Sequence, residues 1–146
     1  MQPRHSSHDD TSDVANHDLI VPYQILAAVT SGLVVVQAFL AGQWLFESNA
    51  DSLDYHEIVG GLFLVALIVQ ILATLPLTKP GSYYRRHLLV QNGLILALSL
   101  LQAWLGYEAS DSSWAGVWHL PLGVFICAYA GGVFSHAWGF KRHFGI

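Results

Sequence analysis

The apolar residues of this chain fall in four long blocks, separated by short polar stretches. The blocks cover residues 22–45, 56–77, 88–107 and 116–138. Their apolar positions neither alternate with period two nor keep to one helical stripe, so they read as neither half-buried strands nor soluble amphipathic helices. Each block is close to the roughly 20 residues an α-helix needs to cross the hydrocarbon core of a bilayer. A helix pairs its own backbone groups, whereas an open strand in lipid leaves them unpaired. The pattern therefore predicts an all-α integral membrane protein in contact with the lipid bilayer. The short connections predict antiparallel neighbours, giving an up-down-up-down four-helix bundle. The expected organisation is a polar, disordered tail over 1–20, the four-span bundle over 21–140 and a second tail over 141–146.

Composition agrees. Of 146 residues, 53% are hydrophobic and 11% charged, and a soluble domain carries about twice that charge. The stretch before the first block is polar, and that block is longer than the apolar core of a cleaved signal, so it reads as a permanent span. Cys127 is the only cysteine. It excludes an intrachain disulfide, and its place in the fourth block reads as a packed thiol.

Charge sets an expected orientation. All six Lys and Arg residues (Arg4, Lys79, Arg85, Arg86, Lys141 and Arg142) lie in the two tails or the 78–87 loop. The other loops, 46–55 and 108–115, carry Glu47, Asp51, Asp54, Glu108 and Asp111 and no basic residue. Basic residues stay on the cytoplasmic side of a membrane. Both termini are thus expected in the cytoplasm, with the chain in the cell (inner) membrane and the acidic loops facing out. Trp44, Trp104, Trp114 and Trp118 cluster near the outer span ends, as an interfacial aromatic belt does.

The candidate chemistry lies in a repeat. Gln37-Ala-Phe-Leu-Ala-Gly corresponds to Gln102-Ala-Trp-Leu-Gly. An acidic loop follows each copy, and then comes His56-x-x-x-Gly60 or His119-x-x-x-Gly123. Two spans separate the copies, so they have the same orientation, as two pseudo-symmetric hairpins about an axis along the membrane normal. The two histidines then open the second and fourth spans, each in the first turn, at matched depth on diagonal helices. Polar side chains at membrane depth face the bundle interior, and imidazole is the commonest metal ligand. Gly60 and Gly123 lie one turn beneath them on the same face, leaving a slot beside each imidazole. Two imidazoles with flat slots beside them suit a haem iron with His56 and His119 as axial ligands. Gln37 and Gln102 would line the pocket or brace the ligands; ordinary interhelical hydrogen bonding is their simpler reading.

At these residues the chain resembles one four-helix module, half of a haem A synthase. In that family each module holds haem near the outer face through one histidine on its second helix and one on its fourth. The 63-residue separation of His56 and His119 and the Gln37-Ala-Phe-Leu-Ala-Gly start both look like that family. The chain also resembles a family of small, uncharacterised four-span bacterial proteins with a similar start and two spaced histidines. The resemblance covers about residues 22–138 and implies the fold and ligation by His56 and His119. It does not carry over the synthase reaction. Leu53 stands where that family has a Glu implicated in its chemistry, the loop cysteines of some members are missing, and the 146 residues match one module.

The expected function is thus a small membrane protein binding one haem b, active in electron transfer or as an accessory subunit of a membrane redox or photosynthetic complex. No catalytic residues and no independent enzymatic activity are expected. Two alternatives compete: a haem-free structural subunit, and a (bacterio)chlorophyll-binding subunit with each histidine on its own magnesium. A second haem on His87 and His136 is not expected, because they lie on adjacent spans without the glycine pattern. No phosphate-binding loop or basic groove points to nucleotides or nucleic acid. No ionisable residue sits at a span midplane, where an ion-coupled transporter would need one.

Overall fold

A computed structural model describes residues 16–47 and 50–139. It contains four long helices: α1 (Ile20–Glu47), α2 (Ala50–Leu77), α3 (Tyr83–Glu108) and α4 (Ser113–Trp138). All four are long and apolar enough to cross a membrane. Each packs against two others in a ring, α1 on α2, α2 on α3, α3 on α4 and α4 on α1. Helices α2 and α4 therefore sit across the bundle from each other.

The outer surface is apolar, and several polar side chains are buried among the apolar ones of the interior. Gln24, Thr30, Gln70, Thr74, Asn92 and Ser99 are buried, while Phe39, Val65, Val117 and Val124 are exposed. Lipid solvates the apolar outer surface; Gln24, Gln70 and Asn92 find partners on neighbouring helices, and Thr30, Thr74 and Ser99 bond to carbonyls one turn back in their own helices. Trp44, Trp104, Trp114, Trp118 and Trp138 are all exposed, as belt residues must be to reach the headgroups.

Two apolar clusters fill the interior. Val34, Phe63, Leu67, Ile95, Ile126 and Ala130 occupy the middle, and Ile20, Tyr23, Ala27, Leu77, Leu88 and Ala137 occupy the end near the 78–82 loop. Between α1 and α4, Ser31 donates to the Ala130 carbonyl (3.2 Å) and Gln24 to the Ala137 carbonyl (3.1 Å). Cys127, half-buried, directs its thiol at the Val34 carbonyl (3.8 Å).

The helices outrun the apolar blocks, most of all at the start of α2. The segment 46–55, expected as a loop, is helical up to Glu47 and again from Ala50. Asp51 in the first turn of α2 favours this start by complementing the positive end of the helix dipole. Ser52 is buried, with its hydroxyl 3.4 Å from Gln43 Oε1. The 108–115 loop likewise shrinks to 109–112. Hydropathy marks where lipid ends; it does not mark where a helix ends. At the other end, Gly81 takes φ 79° after Pro80, a left-handed turn that favours glycine. The Ser82 side chain then caps α3 by accepting from the Arg85 amide (3.1 Å).

Residues 1–15 and 140–146, most of the two expected tails, lie outside the described residues. Residues 16–20 do not behave as a tail. Asn16 accepts from the Asp18 amide (3.0 Å) and donates through its own amide to the Leu77 carbonyl (3.4 Å). A 3-10 turn, His17–Leu19, leads into α1, and Ile20 is buried.

Candidate cofactor site

His56 is the seventh residue of α2 and His119 the seventh of α4. Both thus lie in the second turn of their helices, not the first, because each helix begins six residues earlier (56 − 50 and 119 − 113). At about 1.5 Å rise per residue, both imidazoles lie about 9 Å below their helix starts. The matched offset is a property of the folded helices, since the loops before them differ in length.

Across the bundle the two rings approach to 6.3 Å between centroids, at an interplanar angle of 65°. Both histidines are half-buried. Each makes the same hydrogen bond. His56 Nδ1 lies 3.1 Å from the Gln37 carbonyl, and His119 Nδ1 lies 3.0 Å from the Gln102 carbonyl. A carbonyl can only accept, so Nδ1 carries the proton and Nε2 keeps its lone pair. Each imidazole is therefore held in the tautomer that leaves Nε2 available as a ligand. In metal sites a hydrogen bond to the other ring nitrogen has this orienting role.

The glycines and glutamines complete two like units. A Cβ at Gly60 would collide with Gln37 Nε2, and one at Gly123 would lie 3.0 Å from Gln102 Nε2. The space left by each absent side chain is taken by a glutamine amide, and no histidine side-chain atom lies within 4 Å of either position. Both amide oxygens, Gln37 Oε1 and Gln102 Oε1, are buried without a hydrogen-bond partner. Such an orphan costs on the order of 1–3 kcal/mol, so neither oxygen anchors its amide in the slot. The glutamines thus act through their main-chain carbonyls, a role that side-chain reasoning did not anticipate.

Gly106 was also missed from sequence. A Cβ there would stand 3.0 Å from His119 Cε1, so its bare backbone lets the His119 ring lie against α3. The signal was present as Gln102-x-x-x-Gly106, one turn past the glutamine. Ala41 holds the matching position after Gln37, so the two units differ here.

The donor set suits a tetrapyrrole. Two imidazoles opposed across one metal, with metal–nitrogen bonds of about 2.0–2.1 Å, put their centroids about 6 Å apart. No set of three or more His, Cys, Asp or Glu side chains converges among the described residues. His56 and His119 could hold a haem iron, the haem supplying four nitrogens of its own. No family model, curated protein or solved structure matches this chain.

His87 and His136 come together at the opposite end of α3 and α4, with ring centroids 5.0 Å apart. They contribute nothing to the His56–His119 pair.

Proposed function

We propose that this multi-pass membrane protein binds one haem b between His56 and His119 and serves in electron transfer or as an accessory subunit of a membrane complex. One observation carries the reading. Two imidazoles on facing helices meet at 6.3 Å, each with Nδ1 engaged by the carbonyl of a repeated glutamine. His56 and His119 would be the axial ligands. Gly60 and Gly123 would admit the ring edge as the Gln37 and Gln102 amides leave their slots. Bound there, haem b supplies a one-electron iron couple. Ligation by two imidazoles leaves no open position on the iron, which favours electron transfer over oxygen activation.

In this reading the bundle runs up-down-up-down as two pseudo-symmetric hairpins. The shared His–carbonyl–Gly units and the matched seventh-residue positions support that symmetry. The chain sits in the inner membrane with both termini cytoplasmic, following the placement of its Lys and Arg residues. The haem then lies near the outer face, within reach of a partner on that side.

The test is haem content. Chain purified in mild detergent from haem-replete cells is expected to carry one haem b by pyridine haemochrome, with a sharp reduced α band. A helical, monodisperse but colourless preparation would refute the reading and leave a structural subunit stapled by two histidine–carbonyl bonds. A strong far-red band would indicate bacteriochlorophyll instead.

A further inference from the structure

The 78–82 end of the bundle carries an open groove of about 370 Å³, lined by Gly81, Ser82, Arg85, Arg86, Leu89 and Val90. Positions four apart share a helix face. Leu89 therefore stands one turn beyond Arg85, and Val90 one turn beyond Arg86, about 6 Å further into the span. Two guanidiniums rim the groove, and two aliphatic side chains floor it. Arg85 and Leu89 are half-buried, while Arg86 and Val90 are exposed, so no described helix covers this face. Gly81, in its left-handed turn, adds no side chain to the rim.

Charge at this end is unbalanced. Asp18 is the one carboxylate here among the described residues, on the turn that packs against α1 and α2. Glu47, Asp51, Asp54, Glu57, Glu108 and Asp111 all lie at the opposite end. An arginine fork matches phosphate oxygens in pairs and keeps its charge at any working pH. The Ser82 hydroxyl accepts from the Arg85 amide and has its own O–H to donate.

A free anion would use only the rim of this groove, and an apolar molecule only its floor. We propose that the groove binds an anionic glycerophospholipid, with its phosphate between Arg85 and Arg86 and an acyl chain along Leu89 and Val90. Basic residues clustered at a span end attract anionic headgroups, and the bilayer around α3 supplies the chain. The proposal is independent of the haem reading, because it uses other residues at the other end of the bundle.

The experiment uses the full chain in mild detergent with equimolar phosphatidylglycerol and phosphatidylcholine, and native mass spectrometry counts the lipid retained. At about five-fold per basic residue, two arginines should favour one phosphatidylglycerol about 30-fold. R86Q, at an exposed position, should lower that preference about five-fold, and R85Q/R86Q should abolish most of it. K79Q removes a cation of the same loop that does not line the groove, and it should leave the preference nearly unchanged. Inorganic phosphate in excess should not displace the lipid. Circular dichroism checks that each variant is folded. Equal retention of both lipids by the wild type, or undiminished preference in folded R86Q, overturns the proposal. So does a loss in K79Q as large as in R86Q, which would mean diffuse charge attraction. Displacement by inorganic phosphate would show a free-anion site and overturn it as well.

Discussion

Replacing Asn92 with Leu probes what holds the bundle together. Asn92 is fully buried and links three helices. Gln70 Nε2 donates to its Oδ1 at 2.8 Å, and its Nδ2 donates to the Tyr23 hydroxyl at 3.1 Å. Thr74 Oγ1 adds a bond to the Gln70 carbonyl (3.0 Å), and Gln70 Oε1 is already without a partner. Interhelical hydrogen bonds in membranes average about 0.6 kcal/mol and reach about 1.7. Losing two gives a cost of about 1–3 kcal/mol, since Leu refills most of the volume. Unfolding in mixed micelles of rising denaturing-detergent content measures this directly. The informative variant is Q70L/N92L. Removing both partners of a buried bond can be nearly neutral, whereas removing one leaves the other stranded. The double variant should therefore cost less than the sum of the single ones, with a coupling of about 0.5–1.5 kcal/mol. Costs that add within about 0.3–0.5 kcal/mol would mean the two amides do not interact, and the network would be refuted.

Other expectations follow from the site. Gly60→Leu should lower haem content several-fold at unchanged helicity by filling the slot, and Gly106→Val should do so by displacing the His119 ring; pyridine haemochrome and circular dichroism read both. Gln37→Ala and Gln102→Ala should retain haem and change stability by less than about 1 kcal/mol, because each keeps the carbonyl that orients its histidine and removes an orphaned oxygen. A haem-free but folded Gln37→Ala chain would show instead that the amide itself is needed. Ser110→Cys, exposed in the 109–112 loop, should react with an impermeant thiol reagent added outside intact cells. Labelling only after lysis would invert the orientation.

The four spans were legible because lipid imposes a length and a hydropathy that leave little freedom. The meeting of His56 and His119 was legible for a different reason. The duplicated His-x-x-x-Gly spacing marked the two histidines as a pair, and a ring of four helices puts the second and fourth across from each other. Helix starts were not legible. Ala50 to Tyr55 is polar enough to read as loop, yet acidic residues suit a first turn as well as a loop. The glutamine main-chain bonds escaped because every residue carries a carbonyl, and only folding selects which one meets an imidazole. Gln70, Asn92 and Tyr23 were not singled out, because an isolated amide in an apolar span carries no pattern. Their meeting depends on α2 and α3 flanking the 78–82 turn, with Gln70 seven residues before the end of α2 and Asn92 nine after the start of α3.

The central claim is that His56 and His119 together ligate one haem iron. Resonance Raman spectra of the wild type and of His56→Gly and His119→Gly test it most directly, because marker bands report spin state and coordination number. The wild type should be six-coordinate and low-spin. Each variant should lose that signature and regain it when free imidazole is added to fill the vacated position, whereas H87Q should match the wild type. A wild-type spectrum that is high-spin, or a six-coordinate low-spin spectrum that survives in either glycine variant without imidazole, would contradict the account.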